Sequence, residues 1–408
     1  MPSVCIYLQV HQPFRLRKYS IFDSAPNYFD DGHNRAVIER VAAKCYLPVL
    51  RILREQIVRL GGRFRCALSV TGTALEQFEQ HAPEVVQAIH ALAQTGGTEF
   101  LGETYHHSLA GLYCPTEFTE QVTLHREMLR RVLGVVPRTF RNTELIYSNG
   151  IAAQVANLGF ETQLAEGWEA VLNKRSAAFV YESVGDSRHP NATSPAAAKG
   201  PANLPLNLLL RNYRMSDLIA FKFSDPRAPE FPVTVEKFAE QVGQIGGHLC
   251  NVFMDMETFG EHQAAETGIL DFLAAMPEKL LEANCDFVTP TEAVAEYQSA
   301  GVLDVPMAMS WADESRDVSA WVGNAMQANA VQELYKLEPN VKRKAAAGDP
   351  KVLADWRKLT TSDHSYYMST KRWSDGAVHG YFSPYESPYD AYINFMNVLE
   401  NLRARVAR

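Results

Sequence analysis

Val4-Cys5-Ile6-Tyr7-Leu8-Gln9-Val10-His11-Gln12-Pro13 is the segment on which the fold turns. It begins with a short apolar run rich in β-formers and stops at a histidine, an amide and a proline. A run of this kind reads as a strand, and its alternation with helices along the chain predicts a mostly parallel sheet covered by helices. The alternation continues outward. Helical periodicity runs over 34–60 through Val37, Val41, Cys45, Val49, Ile52, Leu53 and Ile57, and Gly61-Gly62 stops it. Residues 64–70 give a second strand, 71–92 a helix broken near Pro83, 98–101 a third strand, and 117–133 a helix. Residues 139–141 form a fourth strand, and Ser148-Asn149 caps a helix through Leu158. Later, 248–254 and 286–288 read as strands, with helices over about 264–281 and after Pro290.

Repetition of these units from residue 1 to about 300 suits a barrel better than an open sheet, and no GxGxxG follows the first strand. The Pro/Ala/Ser-rich stretch 185–205 reads as a mobile surface loop. From Ser319 the strand signals vanish, and helical runs follow over 321–337, 351–359 and 389–403. The expected organisation is an α/β barrel over 1–305 followed by a helical domain over 306–408.

Composition narrows the function. The 408 residues are 46% hydrophobic and 21% charged, which excludes a disordered chain. A net charge of −8 without a long basic run argues against nucleic acid as a partner. No stretch approaches the roughly 20 apolar residues of a membrane span. The early apolar run lacks the basic lead-in and cleavage site of a signal peptide. Six scattered cysteines without a CxxC pair fit reduced thiols, so a cytoplasmic location is expected.

In a parallel barrel the working groups sit at the C-terminal ends of strands. Those ends carry His11-Gln12-Pro13, then Glu99 and Glu103 to His107, then Arg141-Asn142-Thr143-Glu144, and last Asp255-Met256-Glu257 through His262. Glu144 is either a site acid or a loop acid paired with Arg138 or Arg141. Period-2 alternation puts Phe253, Asp255 and Glu257 on one face, where two acids each need a partner. His106 and His107 are adjacent and face opposite ways, so one reaches a common cleft, and His107 is the favoured one. Thr361-Ser362-Asp363-His364 with Tyr366-Tyr367 is either a turn or a polar insertion that reaches back over the barrel mouth. Trp168, Trp311, Trp321 and Trp373 stand near polar segments where flat rings stack on sugars, although most aromatics are core.

Taken together, His11-Gln12-Pro13 and the segments 102–109, 140–147 and 255–262 resemble glycoside hydrolase family 57. Ser362-Asp363-His364 with residues 366–371 resembles the last motif of its α-amylase branch. The five segments occur in order across essentially the whole chain, which makes the likeness specific. It implies an incomplete (β/α)7 TIM-like barrel followed by a helical domain that contributes to the cleft. It also implies retaining hydrolysis of α-1,4-glucans or maltooligosaccharides without a cofactor or metal, with Glu144 as nucleophile and Asp255 as general acid/base. His11, Glu103, His107, Glu257 and Asp363 would line the donor subsite, with Trp311 and His364 as further substrate contacts. No long β-rich C-terminal domain like that of the larger members is read, which leaves hydrolysis and 4-α-glucanotransfer both open.

Cleaving a glycosidic bond with retention needs two carboxyl groups in different protonation states, about 5–5.5 Å apart. Glu144 and Asp255 are 111 positions apart, so only the fold can join them. Arg141 close to Glu144 would favour the ionised nucleophile. Two other readings compete. A metal-dependent carbohydrate hydrolase of the α-mannosidase or deacetylase type would use His11, His107, Asp255 and His262 as ligands, but HExxH is absent and Glu144 would be idle. A non-catalytic glucan-binding protein would be expected to have replaced one of the two acids, and both are present.

Overall fold

The computed structural model describes residues 1–185, 205–371 and 383–407. The surface loop expected over 185–205 falls, apart from its ends, outside the described residues, as does Trp373.

Among the described residues eight strands of three residues or more frame the fold: β1 (Ser3–Val10), β2 (Cys66–Val70), β3 (Thr98–Phe100), β4 (Thr139–Arg141), β5 (Thr162–Glu166), β6 (Tyr181–Ser183), β7 (Asn207–Arg211) and β8 (Leu249–Asp255). One sheet has the order β3-β2-β1-β8, all parallel. In it β1 aligns Val10 with Val70 and Gln9 with Asp255. The other sheet runs from a two-residue strand at Val302–Leu303 through β6, β7 and β5 to β4. Its β4–β5 and β5–β7 pairs are parallel, and β6 is antiparallel to β7. The sheets meet at a bridge between Gly102 and Phe140, where the Gly102 N–H donates to Thr139 O (2.9 Å) and the Arg141 N–H to Gly102 O (2.8 Å). On the opposite flank the Asn212 N–H donates to Asn251 O (2.8 Å) and the Asn251 amide to Leu210 O (2.9 Å).

All eight residues of β1 are buried, because both of its faces pack. Cys5 and Tyr7 join Ala67, Leu101, Leu164, Leu209 and Phe253 between the sheets. Val4, Ile6, Leu8 and Val10 pack instead on the helices Asp31–Val41 and Leu47–Arg59 and their neighbours. Successive residues of a strand point to opposite faces, so an unbroken apolar run is what two cores demand. The C-terminal helices Ala325–Lys336, Pro350–Leu359 and Pro388–Ala407 bury Trp321 and Trp356 in a third core shared with Phe118, Phe140 and Tyr147. Among the described residues no helix is long and apolar enough to cross a membrane.

Several elements differ from expectation. The strand expected at 286–288 is a single bridge between Val4 and Phe287. The helix expected over 264–281 begins at Ile269, after a short strand at Gln263–Ala264 and a single helical turn. The run over 321–337 breaks at Gly323-Asn324, where Asn324 and Gln327 form a capping box that starts a new helix. The long first helix carries one π turn at Ala42–Tyr46, which places Tyr46 over the end of β8.

Candidate active site

Beyond the end of β4 the chain turns sharply, with Glu144 at φ 56° and Leu145 at φ 50°. Left-handed backbone at such residues costs about 1–3 kcal/mol each and persists only where the surroundings enforce it. Trp311 enforces it here. Its backbone N–H donates to Glu144 O (3.2 Å) and its indole N–H to Glu144 Oε2 (2.7 Å). Trp311 is delivered by residues 305–311, where Met309 and Tyr147 exchange both backbone hydrogen bonds (2.9 Å each). His107 Nε2 donates to the other carboxylate oxygen, Oε1 (2.9 Å). Burial by itself would raise this carboxyl. The His107 hydrogen bond and charge, the Arg141 charge and the Trp311 bond outweigh burial and hold it at about 2.

His107 is buried and left-handed (φ 51°), between Glu144 and the buried Glu103, whose Oε2 is 3.5 Å from His107 Nδ1. The Gln9 amide lies 3.2 Å from the same nitrogen. Burial would lower this imidazole, but hydrogen bonds to Glu103 and Glu144 and the Glu144 charge raise it to about 9, so it is an imidazolium at neutral pH. Its ring stacks on His11 at 4.1 Å and 26°. His11 Nδ1 meets Thr71 Oγ1 and its Nε2 meets Asp363 Oδ2, both at 3.0 Å. Burial and the His107 charge lower His11. Against burial, the His11 charge and hydrogen bond pull Asp363 well below the usual carboxylate range. Asp363 reaches this position because the Ser362 N–H donates to His107 O (2.9 Å) and Thr361 bridges Ser108. The 361–364 segment therefore does reach back over the strand ends.

Asp255 is the last residue of β8. Burial and the Glu144 charge raise its carboxyl above the ordinary range, against the opposing charges of Arg141, His107 and Arg211. The alternation expected to continue to Glu257 stops at Asp255, because Met256–Thr258 form a single 3-10 turn. Glu257 still faces the same space, accepting from the Tyr46 hydroxyl and, at 3.4 Å, from Gln12. Burial and the Asp255 charge raise it as well.

His11, His107, Glu144, Asp255, Glu257, Trp311 and Asp363 line one cavity of about 490 Å³. Two expected residues do not. Glu103 stands behind His107, and His364 turns into the helical core, its ring 5.8 Å from Phe395 and its imidazole lowered by burial to about 4. Trp321 is a core residue. His106 is buried and lies outside the cavity wall, its ring tilted against Tyr105 at 4.8 Å. Among the described residues no group of three or more His, Cys, Asp or Glu side chains could hold a metal ion, so His11, His107, Asp255 and His262 do not form a ligand set. Sequence reasoning missed Arg211, Asp217 and Arg316 on the cavity wall and Glu166 behind them. A signal was present, since Leu208-Leu209-Leu210 ends in Arg211 as the β8 run ends in Asp255.

Comparison with known proteins places the chain in a family and its fold among solved structures. A relative from Methanocaldococcus jannaschii named "Putative alpha-amylase" is 36% identical over 403 residues, covering 96% of this chain and 82% of that protein. The GH57-type branching enzyme from Pyrococcus horikoshii shares the fold with TM-score 0.69 at 14% identity, covering 98% of this chain and 88% of that one. The 4-alpha-glucanotransferase from Thermococcus litoralis shares it with TM-score 0.63 at 14% identity, over 98% of this chain, which spans 57% of that enzyme. The model of the family described as Glycosyl hydrolase family 57 matches residues 5–306. With the family model covering most of its length and a relative more than one-third identical, the chain is a member of glycosyl hydrolase family 57.

Proposed function

We propose that this family member is a retaining hydrolase of α-1,4-glucans in which Glu144 is the nucleophile and Asp255 the general acid/base. One observation carries the reading: two carboxyls on one cavity are pushed in opposite directions, Glu144 towards the anion and Asp255 towards the acid. That division is what a double displacement needs. Glu144 attacks the anomeric carbon while Asp255 passes its proton to the departing glycosidic oxygen, leaving a sugar ester on Glu144. The Asp255 carboxylate then takes a proton from water, the water oxygen bonds to the anomeric carbon, and Glu144 leaves as the carboxylate. A glucan hydroxyl in place of water gives transfer instead of hydrolysis.

His11, His107, Glu257, Asp363 and Trp311 form the donor subsite in this reading. Glu103 serves it through His107, and His364 packs the turn that carries Asp363. The scaffold is an incomplete (β/α)7 barrel over 1–305, supported by seven mutually parallel strands and by backbone links at both seams between the sheets. A helical domain over 306–408 supplies Asp363 and Trp311. A reducing, cytoplasmic setting is supported by six unpaired cysteines, five of them buried.

The test is product analysis on maltooligosaccharides and amylose. The wild type yields shorter products of retained anomeric configuration, with longer oligomers appearing wherever transfer competes. Glu144→Gln and Asp255→Asn each abolish turnover while leaving folding nearly intact. Substantial activity in either variant refutes that residue's role.

A further inference from the structure

We propose that Glu166 is a positioning residue that couples the two halves of the catalytic pair, holding the Glu144 side through Arg316 and the Asp255 side through Arg211. This rests on the reading of Glu144 and Asp255 given above.

Glu166 ends β5, which lies between β4 and β7 in its sheet, and it is buried. Its Oε1 accepts from the Gly167 N–H (2.7 Å). Its Oε2 accepts from Arg316 Nη1 (2.9 Å) and Arg211 Nη1 (3.2 Å). Arg316 Nη1 also donates to Trp311 O (2.7 Å), and Trp311 clamps Glu144 by its backbone and its indole N–H. The loop between them is held in strained backbone, with Asp313 at φ 41° and Arg316 at φ 50°, and is closed by the Ser310 N–H donating to Arg316 O (3.0 Å). On the other side, Arg211 Nε donates to Phe253 O (2.8 Å), two residues before Asp255, and Arg211 also pairs with Asp217. One carboxylate oxygen therefore ties both supports together.

Buried guanidinium–carboxylate clusters are costly unless every member is paired, and losing one partner leaves an uncompensated charge. Arg211, Asp217 and Arg316 reach the cavity wall, while Glu166 sits behind them and does not touch the cavity. Removing Glu166 therefore acts on reacting groups only through its neighbours. Asp255 is faced by Glu144, Glu257, His107, Arg141 and Arg211, and Glu166 by Arg211, Arg316 and Asp217. Without the Glu166 charge, Arg211 is less compensated and draws Asp255 towards its anion.

The experiment compares Glu166→Gln with wild type on a maltooligosaccharide. A misplacement near 1 Å costs about 100-fold, so kcat falls roughly 30- to 100-fold while KM stays within about twofold. The alkaline limb of the rate profile also moves to lower pH. Arg316→Lys keeps the positive charge beside Glu166 and Asp217 but loses the fork shared between Glu166 and Trp311 O, so kcat falls and the alkaline limb stays in place. It also serves as the second variant should Glu166→Gln fail to fold. Rates and limbs at wild-type values in the folded variant overturn the role of Glu166, whatever happens to Tm, while wild-type turnover leaves the catalytic reading standing. Absence of turnover in the wild type overturns both.

Discussion

Replacing His107 by Gln removes a cation from between two carboxylates and leaves an amide that reaches the same neighbours. Glu144 sits at about 2 rather than an ordinary 4.5. At about 1.4 kcal/mol per unit, that is about 3 kcal/mol in favour of the anion, sustained against burial. After burial, the two largest influences on this carboxyl are the hydrogen bond and the charge of His107. Without them burial dominates, and the Glu144 carboxyl rises by about two units or more. His107 also holds Asp255 down, so Asp255 rises too. Both limbs of the kcat/KM profile, which report the free enzyme's essential acid and base, therefore move in the alkaline direction. The assay is kcat/KM for a chromogenic maltooligosaccharide from about pH 3 to about 10, a window that holds the alkaline limb of both forms and the acid limb of the variant. In the wild type activity persists to the acid edge, and in the variant an acid limb enters the window. A variant whose activity also persists to the acid edge, or whose alkaline limb moves to lower pH, would refute the argument.

The same histidine governs stability. Its folded value is raised from 6.5 to about 9, so its contribution is fully present below 6.5 and is lost as pH rises through 9. Urea denaturation at both ends of that window should show a loss of about 3 kcal/mol in wild type and little in His107→Gln; a flat wild-type curve contradicts it. Gly260 sits at φ +106°, where an added Cβ would stand 2.1 Å from Lys44 O. Gly260→Ala should destabilise by about 2–4 kcal/mol in urea melts, and an unchanged midpoint would count against this backbone approach. Dialysis against EDTA should leave turnover unchanged, since the cavity histidines and acids pair with one another rather than forming a ligand set; loss restored by zinc would reverse that. Trp311→Phe keeps an aromatic ring but drops the bond to Glu144 Oε2, and the acid limb should shift from about 2 to higher pH by up to about a unit. No shift would mean that the indole N–H does not act on Glu144.

Much of the frame was legible because its signals are local. The first strand, the break at Pro83 and the Ser148 cap are written in short stretches, and each appears where the residues placed it. β5 and β7 were missed for physical reasons. Thr162-Gln163-Leu164-Ala165-Glu166 carries three polar residues in five, and Glu166 can be buried because Gly167, Arg211 and Arg316 satisfy its carboxylate in place of water. Asn207–Arg211 follows a stretch dominated by Pro, Ala and Ser, which masks its apolar run. In the site, Asp255 stood out as a charge closing an apolar strand, whereas Glu144, three residues past β4, stayed open between site and loop until the resemblance to the family singled it out. Two of the groups that act on them, Trp311 on Glu144 and Arg211 on Asp255, lie far from them along the chain, and no spacing rule joins them. His364 misled because it neighbours Asp363, and consecutive residues of a helical turn face different directions.

Trapping the covalent intermediate addresses the central claim most directly. A fluorinated maltosyl fluoride, which slows the second displacement, is incubated with the enzyme, and the protein is digested and mapped by mass spectrometry. One maltosyl adduct on Glu144, lost in Glu144→Gln, is the predicted result. An adduct on another residue, or none at all with products of inverted configuration, would contradict it.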